Sequence, residues 1–178
     1  RPLPRSGYGL TAWNGRADPN SVAMHSQIGC DITDLSAANY IDLWFRPPAR
    51  ENEHLLTLPV FKPAVLTLAE IWNTTWCEAA HFERVDVIKP IPGRRSPSYL
   101  GGWITYIGPR FASLIKPPAS AITEHPPGGG ILMIATEEPF DVGNPKHIAV
   151  ARDINAALAP LNALPWPPDS DVAPETVA

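Results

Sequence analysis

Two cysteines, Cys30 and Cys77, are too few in a chain of 178 residues to build the disulfide framework of a small secreted scaffold. They read as reduced, buried thiols. Charge is sparse as well, at 18% of residues with a formal net charge of −4, which excludes the polybasic surface of a direct DNA or RNA binder. No apolar run has the length that spans a bilayer, and the first residues lack the basic, apolar, small-residue order of a signal peptide. No membrane partner is expected. The chain opens on Arg1, so its own start is expected upstream, where a removed leader would leave no trace. Catalytic signatures are missing too, with no G-x-S-x-G elbow, no phosphate loop ending in lysine and no H-E-x-x-H. The chain is read as a non-enzyme without cofactor or metal.

Proline is what the chain has in excess, at 22 residues against an average usage of about 5%. Pro47-Pro48, Pro90-Ile91-Pro92, Pro117-Pro118 and Pro126-Pro127 predict long rigid loops between short elements. The length suits one domain, residues 1–164, followed by a flexible Pro-rich acidic tail over 165–178.

The organising stretch begins at Gly128-Gly129-Gly130 and runs through Ile131-Leu132-Met133-Ile134-Ala135. Its apolar residues do not alternate, which predicts a strand buried on both faces. A polar turn then leads to Asn144-Pro145, a capping residue followed by proline at the first helical position. Ile148, Ala151, Ile154, Leu158 and Leu161 follow as a helical apolar stripe, with Lys146, Arg152, Asp153 and Asn155 expected in water and Pro160 and Pro165 as stops. A second helix is predicted over Phe61–Trp76, its Trp-rich stripe read as core.

Strands are predicted at Tyr8–Trp13, ending at an Asn14-Gly15 turn, at Tyr40–Arg46 and at Gly101–Gly108, with weaker ones at Leu55–Leu58 and Phe82–Ile88. Asp18–Asn39 reads as irregular chain with a short helical turn after Asp34, and Arg94-Arg95-Ser96-Pro97 as a solvated basic turn. Phe111–Ile115 and Ala121–Glu124 are ambiguous between extended edge and turn. Together these predict an α+β single domain, with an antiparallel or mixed β-sheet packed by two main helices and long Pro-rich loops.

Residues that carry chemistry are scattered. Gly128-Gly129-Gly130 precedes a strand, whereas an anion cradle needs glycines before a helix N-terminus. Cys77 and His81, four apart at the end of the Trp-rich helix, form with Cys30, His25 or His54 the alternative reading, a zinc-binding or hydrolytic enzyme. His147 reads as a capping or packing residue, with no carboxylate or nucleophile recurring near it in sequence. An acidic population remains, comprising Asp31, Asp34, Asp42, Glu51, Glu53, Glu137, Glu138 and Asp141, which on one rim would meet a basic partner.

Three blocks resemble a known family. Gly102-Trp103-Ile104-Thr105-Tyr106, the glycine turn through Gly130 into Ile131–Thr136, and Asn144-Pro145-Lys146-His147 through Arg152 look like the C-terminal signature of the immunity protein 52 family of bacterial polymorphic toxin systems. The early Trp13–Asp18 is similar to that family's first strand and turn. The Pro-rich middle, Pro90–Pro97 and Pro117–Pro127, departs from the shorter connections expected. The resemblance implies a bacterial cytoplasmic protein, encoded beside a toxin, that binds it and protects the producing cell. It further implies a toxin of restriction-endonuclease fold, often delivered by a type VI secretion system. On that reading the acidic residues are candidate toxin contacts in a heterodimer, with Trp44 and Arg46 as anchors. Gly102, Trp103, Tyr106, Gly130, Asn144, Pro145 and His147 read as scaffold.

Overall fold

The computed structural model describes residues 8–13, 15, 22–28, 40–45, 56–80 and 100–163. They form an α+β arrangement of antiparallel sheets and two main helices. The described residues fall into two compact units, the first made by the three N-terminal strands and the second lying within Leu55–Leu164.

In the first unit, β1 (Tyr8–Trp13), β2 (Val22–Ile28) and β3 (Tyr40–Phe45) pair antiparallel in the order β1-β2-β3. Thr11 stands opposite His25, and His25 opposite Asp42. Gly15 has a φ of 77°, the left-handed conformation for which the predicted turn needs glycine. The middle strand corrects the expectation of irregular chain over Asp18–Asn39. Val22–Ile28 is weakly patterned, but a strand paired on both sides satisfies its backbone through its neighbours, and that overrides its own propensity.

In the second unit, β4 (Trp76–Ala79), β5 (Ile104–Ile107), β6 (Ile122–Glu124) and β7 (Ile131–Ile134) form an antiparallel sheet in the order β4-β5-β7-β6. The predicted central strand is interior, with Met133 opposite Thr105 on one side and Thr123 on the other. All four of its residues are buried. Ile131 and Met133 pack with Ile107, Phe111 and Ile115 against Ile154, Leu158 and Leu161. Leu132 and Ile134 pack with Ile104, Tyr106 and Trp103 against Val65 and Ala69. One face is therefore covered by α1 (Leu58–Trp72), the other by the short α2 (Pro109–Ala112), by α3 (Pro145–Ala157) and by the short α4 (Ala159–Asn162).

Several expectations shift in detail. The predicted strand at Leu55–Leu58 is replaced at Leu58 by the start of α1, because Thr57 is the cap and its carbonyl accepts from the N–H groups of Val60 and Phe61. Proline within the first two helical positions fits that start. The helix also stops short of Trp76. Asn73 adopts φ 45°, and the Thr74 N–H donates back to the Ala69 carbonyl at 3.1 Å, a left-handed helix stop that asparagine tolerates. Trp76 and Cys77 consequently lie in β4 rather than on a helix. Phe111 lies in a short helix and Ile115 just past its end, and Ile122–Glu124 takes the extended-edge alternative.

The apolar stripe Ile148, Ala151, Ile154, Leu158 and Leu161 is buried throughout, as its spacing predicts. Asn155, expected in water, is buried instead. A Cβ on Gly101 would lie 2.8 Å from the Asn155 nitrogen, so the strand leading into β5 runs tightly over that face of α3. Pro160 sits in the first turn of α4 rather than ending the helical region. The predicted helical turn after Asp34, the Glu51/Glu53 loop, the Phe82–Ile88 strand, the Arg94–Pro97 turn and the 165–178 tail lie outside the described residues.

Ile154 is fully buried while Ile71 on α1 is 71% exposed. Ile154→Ala is expected to lower stability by about 2–5 kcal/mol in urea denaturation, and Ile71→Ala to leave it within about 0.5 kcal/mol.

Candidate functional site

The chain between β7 and α3 carries three exposed carboxylates, Glu137, Glu138 and Asp141, and is cross-tied at Thr136, Glu138, Asp141, Gly143 and Asn144. The Thr136 hydroxyl accepts from the Glu138 N–H at 3.2 Å, while the Thr136 carbonyl accepts from the Trp103 indole at 2.8 Å. An Asp141 carboxylate oxygen accepts from the Gly143 N–H at 2.7 Å, and its carbonyl from the Asn144 N–H at 3.1 Å. Such side-chain-to-backbone turns are the natural use of Asp and Thr in a connection. Between the acidic residues Phe140 turns inward and packs against both core clusters, pinning the connection from beneath.

At the far end Asn144 caps α3 as predicted, its side-chain oxygen accepting from the Lys146 N–H at 3.0 Å with Pro145 in the first turn. His147 is buried, 8% exposed, and its ring lies 5.8 Å from that of Phe140. Its Nδ1 accepts from the Asp141 N–H at 3.1 Å, and its Nε2 stands 3.2 Å from the Asn144 amide nitrogen and 3.7 Å from the Glu138 carboxylate. His147 has no carboxylate recurring near it in sequence, and the fold brings the Glu138 carboxylate to 3.7 Å from its ring. Glu138 precedes it by nine positions in sequence, a separation that no local spacing rule connects, and the reversal of the chain at Asp141 closes the gap.

Of the other scaffold residues, Trp103 holds this connection and the rest pack within the sheet. Trp103 packs its ring 5.7 Å from Phe61 and donates to Thr136. Tyr106 is buried over the glycine turn and donates to the Gly129 carbonyl at 3.3 Å. Gly130 has a φ of 89°, and a Cβ there would run into the Ile107 carbonyl. A Cβ on Gly102 would lie 2.8 Å from the Ala79 carbonyl, so β4 and the entry to β5 meet backbone to backbone.

The acidic candidates are divided. Glu137, Glu138 and Asp141 come together in the second unit. Asp42 and Trp44 lie on β3, an outer strand of the first, in register with His25 and Ala23. Asp31, Asp34, Arg46, Glu51 and Glu53 lie outside the described residues. So do Cys30, His54 and His81, and His25 belongs to β2 of the first unit. Among the described residues no group of three His, Cys, Asp or Glu side chains is placed to hold a metal ion. No described helix is long and apolar enough to cross a membrane.

Burial pushes the Cys77 thiol up to about 11 from an ordinary value of 9.0, which makes it a poor nucleophile and a reluctant metal ligand. Burial likewise raises Tyr106, its partner across the β4–β5 ladder. Because the unfolded thiol ionises from pH 9.0 and the folded one only near 11, the stabilisation from Cys77 is complete below pH 9.0 and is lost between 9.0 and 11. That loss amounts to at most about 2–3 kcal/mol. Chemical denaturation across this range should show a fall in stability that is smaller in Cys77→Ala.

No curated protein matches the chain. A family model described as Immunity protein 52 matches residues 4–164, a span that takes in the sheet, both main helices, the acidic connection and all the glycine, tryptophan and capping positions described above. On that match the chain belongs to the immunity protein 52 family.

Proposed function

We propose that this protein neutralises a cognate bacterial toxin by binding it, forming a tight heterodimer in the cytoplasm of the producing cell without chemistry of its own. The toxin is a nuclease of restriction-endonuclease fold delivered by a type VI secretion system. Membership of an immunity protein family supports the protective role. The acidic connection supports a basic partner, because a nuclease presents positive surface to nucleic acid and complementary charge speeds association and fixes register.

The observation that carries the reading is that Glu137, Glu138 and Asp141 are exposed on a connection whose backbone is tied at Glu138, Asp141 and Gly143. A preordered loop loses little conformational entropy on binding, so more of the contact energy appears as affinity. The acidic residues supply a charged rim, and an interface of the usual total size, about 1,600 Å², needs an aromatic or arginine anchor as well. Trp44 and Arg46 are proposed as those anchors, with Asp31, Asp34, Asp42, Glu51 and Glu53 as further contacts.

Co-expression with the neighbouring toxin gene tests the whole reading. The chain should restore growth and co-purify with the toxin, and equal killing with and without it would end the proposal. Reversing charge with Glu137→Lys and Glu138→Lys together should weaken toxin binding about tenfold or more, chiefly through slower association, with an unchanged melting curve. An unchanged dissociation constant would move the contact face to Glu51 and Glu53, whose reversal is then the deciding measurement.

A further inference from the structure

We propose that Trp13 and Trp44, placed on either side of Ala23 in the three-stranded sheet, form with Asp42 a slot for an arginine side chain of the toxin. The assignment to the toxin rests on the reading of this chain as a toxin inhibitor. The slot itself rests on strand register and on the chemistry of the residues that the register aligns.

Residues aligned across antiparallel strands share a face of the sheet, and the face alternates with every step along a strand. The register sets Trp13 beside Ala23 and Ala23 beside Trp44, so one row reads tryptophan, alanine, tryptophan across β1, β2 and β3. Two steps along each strand, on the same face, the next row is Thr11, His25 and Asp42, and the last is Gly9, Gln27 and Tyr40. The opposite face is covered at Ser26, which is 1% exposed, and opens at Leu10 on β1, which is 53% exposed. The tryptophan face is open at Thr11.

The spacing suits a flat group. Trp13 and Trp44 are two strand spacings apart, about 10 Å, and a planar group held between two rings at contact distance needs about 7–8 Å. Ala23 adds only a methyl group to the row between them. Charge then decides which flat group fits. Asp42 is one row from Trp44, about 7 Å along β3, and the three rows of this face contain no lysine or arginine. Indoles beside a carboxylate favour a cation and disfavour a phosphate. Of the two long cationic side chains arginine is the planar one, which stacks on indole while its N–H groups bond a carboxylate. Arginine is also the side chain with which proteins recognise nucleic acid, so a nuclease surface supplies it. Tryptophan and arginine are among the residues that dominate affinity at protein interfaces.

The test follows the indole N–H signals of Trp13 and Trp44 in the full chain by NMR while Nα-acetyl-arginine amide, or its uncharged analogue Nα-acetyl-citrulline amide, is added. Arginine should shift both signals along one saturating curve, and citrulline should leave them in place. Ala23→Leu, which fills the row between the indoles, and Asp42→Asn, which removes the charge, should each weaken arginine binding about fivefold or more. Trp44→Ala and Ala23→Leu should each raise the dissociation constant for the toxin about tenfold or more, with the melting curve of the native chain. Indole signals that ignore arginine, or that respond equally to citrulline, overturn the slot. Should the variants not fold, the native titration decides alone. A native chain that takes arginine but leaves cells unprotected from the neighbouring toxin keeps the slot and ends the toxin reading. Protection with an unchanged dissociation constant in folded Trp44→Ala and Ala23→Leu keeps the toxin reading and overturns the assignment of the slot to the toxin.

Discussion

A strand with no polar side chain and no exposed face sets the terms for the whole second unit. Ile131–Ile134 must pair its backbone on both edges and cover its side chains on both faces, because buried peptide groups and apolar surface are each costly if left unmatched. β5 and β6 meet the first demand, and α1 on one side with α2, α3 and α4 on the other meet the second. The close approaches at Gly101, Gly102 and Gly130 follow from the same requirement, since strands and helices packed this tightly leave no room for a Cβ at the crossings.

The acidic connection inherits its order from that core. It leaves the C-terminal end of the buried strand and must reach the start of α3, and on the way Phe140 drops back into the apolar clusters while Trp103 holds the carbonyl of Thr136. Between these fixed points the three acidic residues are exposed. On the proposed reading of this connection as a toxin contact, a charged loop ordered before the encounter is more useful than a mobile one. The sheet, the capping asparagine and His147 act together as a mount for three negative charges.

Much of this was legible in the sequence. The double burial of Ile131–Ile134 followed from an apolar run without alternation, and the helix from Asn144-Pro145 followed from capping chemistry, because both are governed by residues adjacent in the chain. The apolar stripe from Ile148 to Leu161 was legible for the same reason. β2 was not legible, since Val22–Ile28 owes its strand state to partners on either side rather than to its own side chains. The end of α1 was missed because Trp76 satisfies the helical spacing as well as the strand it occupies, and the stop at Asn73 is a backbone conformation with no periodic signature.

The candidate site divides along the same line. The sequence by itself determined that Glu137, Glu138 and Asp141 lie outside regular structure and beside a helix start, since Pro139, Gly143 and the Asn144-Pro145 cap are local signals. Only the tertiary structure decided that His147 faces back onto them, with one nitrogen on the Asp141 amide and the other towards Glu138. The reason is that capping and periodicity act within a turn or two of chain, whereas the fold of the connection over Phe140 is set by a core assembled from strands and helices far apart in sequence.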